Sequence, residues 1–137
     1  MRRRTLLSLL TLAALLACGG DSAGPGIPRV EGTWRLHTFN GSPLPAVLVQ
    51  FGTSKLEILS DVITAVESGS FTQMTEFRMT EDGVPGTYSM PDAGTFTLNG
   101  AAVTLVSNAD GDAATGSIAG NTMTFSEAGF TLVYRRD

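Results

Sequence analysis

The chain predicts an all-β fold, an antiparallel up-and-down meander of eight or nine strands closing as a β-barrel. Three observations predict it. Apolar and polar residues alternate with period two in short runs from Val30 onward. Tight-turn residues separate the runs. No stretch between runs is long enough for the crossover helix that parallel strands require.

The elements follow in order. In Thr33 to Phe39, Trp34 and Leu36 share one face while Arg35 and His37 share the other. Pro43 to Phe51 reads two ways. Leu44, Val47, Leu48 and Phe51 have helical spacing, which suits a short helix capping one barrel end. Val47, Val49 and Phe51 also alternate, which suits a second strand. Lys55 to Val66 carries the pairs Ile58-Leu59 and Val62-Ile63, so a bulge or interruption is expected near Ser60-Asp61. Phe71, Phe77 and Met79 then face one way, with Thr72, Glu76 and Arg78 opposite. Later strands are marked by Phe96 and Leu98, by Val103 and Leu105, by Met123 and Phe125, and by Phe130, Leu132 and Tyr134.

Asn99-Gly100 and Gly120-Asn121 are hairpin signals, because Gly and Asn tolerate positive φ. Glu67-Ser68-Gly69, Asp82-Gly83, Asp92-Ala93-Gly94, Asp110-Gly111 and Ala128-Gly129 mark the other turns. So many antiparallel strands must hide their edges in a barrel or a sandwich, and short regular turns favour the barrel.

The first 17 residues have the parts of a secretory signal. Arg2, Arg3 and Arg4 are followed by the apolar run Thr5 to Ala17. As a helix that run spans roughly 20 Å, short of the ~30 Å hydrocarbon core, so a transmembrane helix is not expected. Leu15-Leu16-Ala17-Cys18 resembles the lipobox of bacterial lipoproteins. The resemblance implies cleavage before Cys18 and acylation of its sulfur, which anchors the chain to a membrane. Cys18 is the sole cysteine, so no internal disulfide can form. Gly19, where an Asp would favour inner-membrane retention in enterobacterial lipoproteins, points to the outer membrane. The expected location is the bacterial envelope, facing periplasm or cell surface. Residues 18–29, rich in Gly and Pro, read as a flexible linker, and residues 30–137 as one domain.

The formal charge is −4, and loss of the leader's three arginines makes it about −7. With Lys55 the sole lysine, a nucleic-acid partner is not expected. The domain is expected to be a monomer of roughly 110 residues with a core large enough to stand without metal or disulfide.

Gly32-Thr33-Trp34, followed by Asn40-Gly41-Ser42-Pro43-Leu44-Pro45, resembles the opening of bacterial lipocalin-like domains. The segment Ala114 to Phe125 and the ending Leu132-Val133-Tyr134-Arg135-Arg136 resemble them too. The resemblance implies a barrel with Trp34 packed across its closed end and a late arginine, Arg135 or Arg136, over that ring. The Trp-x-Leu opening with Asn-Gly also resembles the META domain of bacterial envelope lipoproteins.

Catalytic groups are sparse. His37 is the only histidine and no Gly-x-Ser-x-Gly elbow occurs, so nucleophilic catalysis is not expected. Glu81-Asp82 and Asp110-x-Asp112 read as solvated turn charges rather than a glycosidase pair. Asn108 to Asp112 lacks the later ligands of an EF-hand and reads as a turn, so no metal or other cofactor is expected. Trp34, Phe71, Phe77, Phe96, Phe125, Phe130 and Tyr134 are expected to line or fill the barrel. A hollow interior would hold a small hydrophobic ligand. A filled one would make the domain an interaction module that acts through its surface on an envelope protein.

Overall fold

The structure, a computed structural model, describes residues 27–137. The leader, Cys18 and most of the linker lie outside the described residues. The described chain forms ten strands and no helix. They are β1 (Gly32–Phe39), β2 (Ser42–Pro43), β3 (Ala46–Phe51), β4 (Ser54–Ala65), β5 (Ser70–Glu81), β6 (Val84–Asn99), β7 (Ala102–Ser107), β8 (Ala113–Ala119), β9 (Thr122–Glu127) and β10 (Phe130–Arg136).

Every strand from β4 to β10 pairs antiparallel with the next, and β1 closes the ring by pairing with both β10 and β4. Eight strands therefore form the closed barrel, and β2 and β3 are additions to it. The ambiguous segment from Pro43 to Phe51 is extended rather than helical. It forms a ladder with β4 from Ala46 to Phe51, broken by a bulge between Val47 and Val49. It buries Ala46 and part of Leu48 rather than the valines, whereas a short isolated helix is marginal.

Closure is tighter at one pole. The pairing of β1 with β4 runs only from Gly32↔Ala65 to Arg35↔Val62. Beyond it β1 turns to β2 and β4 to β3. Likewise β6 pairs with β7 only from Gly94 onward, while its earlier residues pair with β5 alone. The wall made by β4, β5 and β6 thus rises past the opposite rim and, joined by β3, forms a four-stranded tongue. Asp82 and Gly83 link β5 to β6 at its tip with φ of 48° and 82°, a turn of the primed kind that matches strand twist.

The core fills the closed pole and continues through Leu36 to Phe39, Ala46 and Ile58 at the base of the tongue. Trp34, Val30, Val103, Met123, Ile63 and Ile118 are all at most 3% exposed. Each such side chain stabilises the fold by roughly 1.5–3 kcal/mol relative to exposure. Trp34 donates its Nε1–H to the Val30 carbonyl at 2.6 Å, and Arg136 packs over its ring. Of the two arginines that the opening and closing motifs nominate, Arg136 holds this place and Arg135 is exposed. A register shift between Ile58 and Ser60 sets Leu59 out of the β4–β5 ladder. That bulge lets Ile58 and Asp61 both point inward, where alternation alone would put them on opposite faces.

Candidate functional site

Above the packed pole the barrel is hollow. An inner chamber of about 160 Å³ is bounded by Ile63, Leu105, Phe125, Leu132, Tyr134 and Gln73. It adjoins an outer basin of about 420 Å³ with which it shares Gln73, Leu105, Ala114 and Glu127. The basin opens at the rim between Asp92, Asp110, Asp112 and Glu127. Its size lies within the usual range for small-molecule sites.

The register explains this lining. Phe71, Gln73 and Thr75 face inward on β5, opposite Ala65, Ile63 and Asp61 of β4. On the other side Tyr134 and Leu132 of β10 lie opposite Met123 and Phe125 of β9. Inward positions on β4 and β5 are apolar at Ala65, Ile63 and Phe71, polar at Asp61, Gln73 and Thr75, and apolar again at Ile58 and Phe77, so a polar belt crosses the interior.

Asp61 organises the polar half. Only 3% exposed, it accepts hydrogen bonds from Tyr134 Oη and Gln73 Nε2, both at 2.7 Å, and from Thr75 Oγ1 at 3.2 Å. Burial pushes its carboxyl above the ordinary carboxylate value, against the pull of those three donors. Tyr134 is held well above its ordinary value by burial first, then by the Asp61 charge and their shared hydrogen bond. Tyr134 gives its one donor and Gln73 one of its two N–H groups to Asp61, so a guest meets one Gln73 N–H and several acceptors: the Gln73 carbonyl, the Tyr134 lone pairs and the Glu127 carboxylate.

The rim is braced separately. Asp92 accepts from Ser107 Oγ at 2.8 Å and from the Ala93 amide at 2.7 Å. Asp110 accepts from the Asp112 amide at 2.9 Å, which shapes the β7–β8 turn.

The seven aromatics expected in the interior divide into three groups. Phe71, Phe125 and Tyr134 line the hollow, and Phe96 packs half-buried against the core. Trp34 plugs the closed pole and lines nothing. Phe77, at the base of the tongue, likewise packs part-buried against the core and stacks on Tyr88 with ring centroids 5.3 Å apart. One expectation is corrected. Phe130 begins β10 above the rim, 45% exposed beside Phe39. His37 is exposed at a β1 bulge. Asp61, Gln73 and Glu127 are site residues that aromatic spacing does not reveal. A signal for Asp61 exists, since counting back by twos from Ala65 through Ile63 puts it on the apolar face.

A larger concavity, about 660 Å³, lies on the outer surface of the same wall among Val62, Thr64, Thr72, Met74, Pro91 and Ala93. It gathers no buried polar group, so the interior hollow is the better candidate.

No family model and no curated protein matches the chain. Among solved structures, a lipocalin-like protein from Bacteroides uniformis aligns at 12% identity and a TM-score of 0.45, over 78% of this chain and 97% of its own. An uncharacterized protein from Bacteroides eggerthii aligns at 12% identity and 0.43, over 78% and 98%. The closed barrel stands on its strand pairing, independently of these likenesses.

Proposed function

We propose that the protein is a non-catalytic binding protein of the bacterial envelope, anchored through a lipid on Cys18, that takes a small molecule into the open half of its barrel. The observation that supports this reading is an apolar chamber beside a buried carboxylate, Asp61, that takes the Tyr134 hydroxyl and one Gln73 N–H and leaves mostly acceptors facing the hollow. Such a lining rewards a guest with an apolar body and a hydrogen-bond-donating head, above all an organic ammonium. A purely apolar guest would make no use of the Gln73 carbonyl or the Glu127 carboxylate at the rim. The chamber admits roughly five water-sized groups at about 30 Å³ each, so the deeper part suits a short chain or single ring.

The test is native mass spectrometry of the full chain, released in detergent from the membranes of its own host. An added small mass, lost on denaturation and carrying an amine, supports the reading. A bare protein that also fails to bind alkylammonium probes overturns it.

A further inference from the structure

We infer that the tongue is a second, separate binding surface, whose free β3 edge and adjoining groove take an extended peptide with apolar side chains and basic flanks.

Three observations lead there. The first is an open sheet edge. β3 pairs only with β4, and among the described residues no hydrogen bond reaches its other side. Native sheets protect such edges with charge, proline or brevity. The other free edge has that protection, since β2 is two residues long and contains Pro43. β3 has none of the three, and its one irregularity is a bulge between Val47 and Val49: Ala-Val-Leu-Val-Gln-Phe is six residues long and carries no charge or proline. A row of unpaired main-chain groups is what an added peptide strand uses for affinity.

The second is an apolar groove on the tongue's inner face. The β3–β4 register puts Val49 opposite Leu56 and Phe51 opposite Ser54, and β5 continues the row with Met79. These residues bound a groove of about 470 Å³. Val49 is 45% exposed and Phe51 75%, while Val84 at the neighbouring hairpin is 71% exposed. Alternate side chains of an added strand would fall on this face.

The third is charge, which decides the occupant. Lys55 is the groove's one cation among the described residues, and Glu57 engages it at 3.1 Å. Glu81 and Asp82 border the same groove and join no ion pair among the described residues. Two unspent anions beside an uncharged strand favour a peptide with basic ends. A second copy of this acidic chain would bring like charge, and a lipid surface could not satisfy the main-chain row.

The experiment is fluorescence anisotropy on the full chain, with a labelled Lys-Ile-Thr-Ile-Thr-Ile-Lys peptide and a Glu-flanked counterpart as probes. The Lys-flanked peptide is expected to bind saturably and to slow amide hydrogen exchange along β3. The double substitution Glu81→Gln with Asp82→Asn should weaken it about tenfold, and Val49→Glu should abolish it. Any of four results overturns the inference: no saturable binding, equal binding of the Glu-flanked peptide, self-association that Val49→Glu removes, or docking on phosphatidylcholine vesicles that Val49→Glu removes.

Discussion

Arg136 lies over the indole of Trp34, with its guanidinium carbon 4.5 Å from the ring centroid. The two residues are direct partners across the β1–β10 ladder, so strand pairing itself delivers the stack. Arg136 also donates to the Arg29 carbonyl, which ties the chain leading into β1 to the last strand. Arg136→Lys keeps the charge but loses the planar stack and should cost about 1 kcal/mol. Trp34→Ala should cost about 3–5 kcal/mol, because nothing collapses into the space. Urea unfolding checks both, and a silent Trp34→Ala would mean the closed pole is not the stabilising centre.

Asp61 predicts an unusual pH response. Its raised folded-state pKa means that the folded protein binds the proton more tightly than the unfolded chain. Its contribution therefore favours folding most at low pH and is lost as pH rises through the folded-state value. Asp61→Asn should remove that decline while keeping an acceptor for Tyr134. Asp61→Ala leaves the Tyr134 hydroxyl and Gln73 amide unpaired and should cost about 1–3 kcal/mol. Stability measured at several pH values separates the two variants.

Glu57 works in the opposite direction. Its hydrogen bond with Arg78, aided by Lys55 and opposed by partial burial, lowers its pKa from 4.5 to about 2. Its contribution is present above the ordinary value and is lost as pH falls toward 2. Glu57→Gln should flatten the acid limb of the stability profile between those limits. An unchanged acid limb would show that this ion-paired cluster adds nothing to the tongue.

Two glycines allow the barrel to bend. A Cβ on Gly94 would stand 1.9 Å from the Val106 carbonyl oxygen, and one on Gly116 would stand 2.4 Å from that of Thr124. Rings of Phe71 and Phe125 lie against these same bare positions, at 2.8 and 2.7 Å from the added carbon. Alanine at either should cost about 3 kcal/mol or more, because backbone cannot yield as a side chain can. Gly86→Ala, with its nearest neighbour 4.0 Å away, is the control and should change stability by less than about 0.5 kcal/mol. Melting temperatures of the three variants test the contrast.

The barrel was legible because one buried face and one wet face impose a period of two, and because turn pairs such as Asp82-Gly83 punctuate it. Even the irregularity in β4 showed, since Ile58-Leu59 and Val62-Ile63 cannot both alternate without a bulge. The site was less legible. Alternation assigns Phe130 an inward face, but only the relative heights of β9, β10 and the rim reveal that this position is outside. Phe77 keeps the core-facing side that alternation assigns it, at the base of the tongue. Asp61 was hidden by its own chemistry: a carboxylate beside a bulge looks like a strand break until Tyr134, 73 residues away, supplies its donor.

Both ends of the described chain meet at one pole. Arg35 pairs with Asp137 at 2.7 Å, and the Asp137 amide reaches the Thr33 carbonyl, next to the segment that leads in through Val30. The acidic basin and the tongue stand at the other. A tag, tether or solid support attached at either end therefore leaves both candidate surfaces turned outward and unobstructed. Any partner that exchanges a guest with this barrel must approach from the side facing away from the attachment.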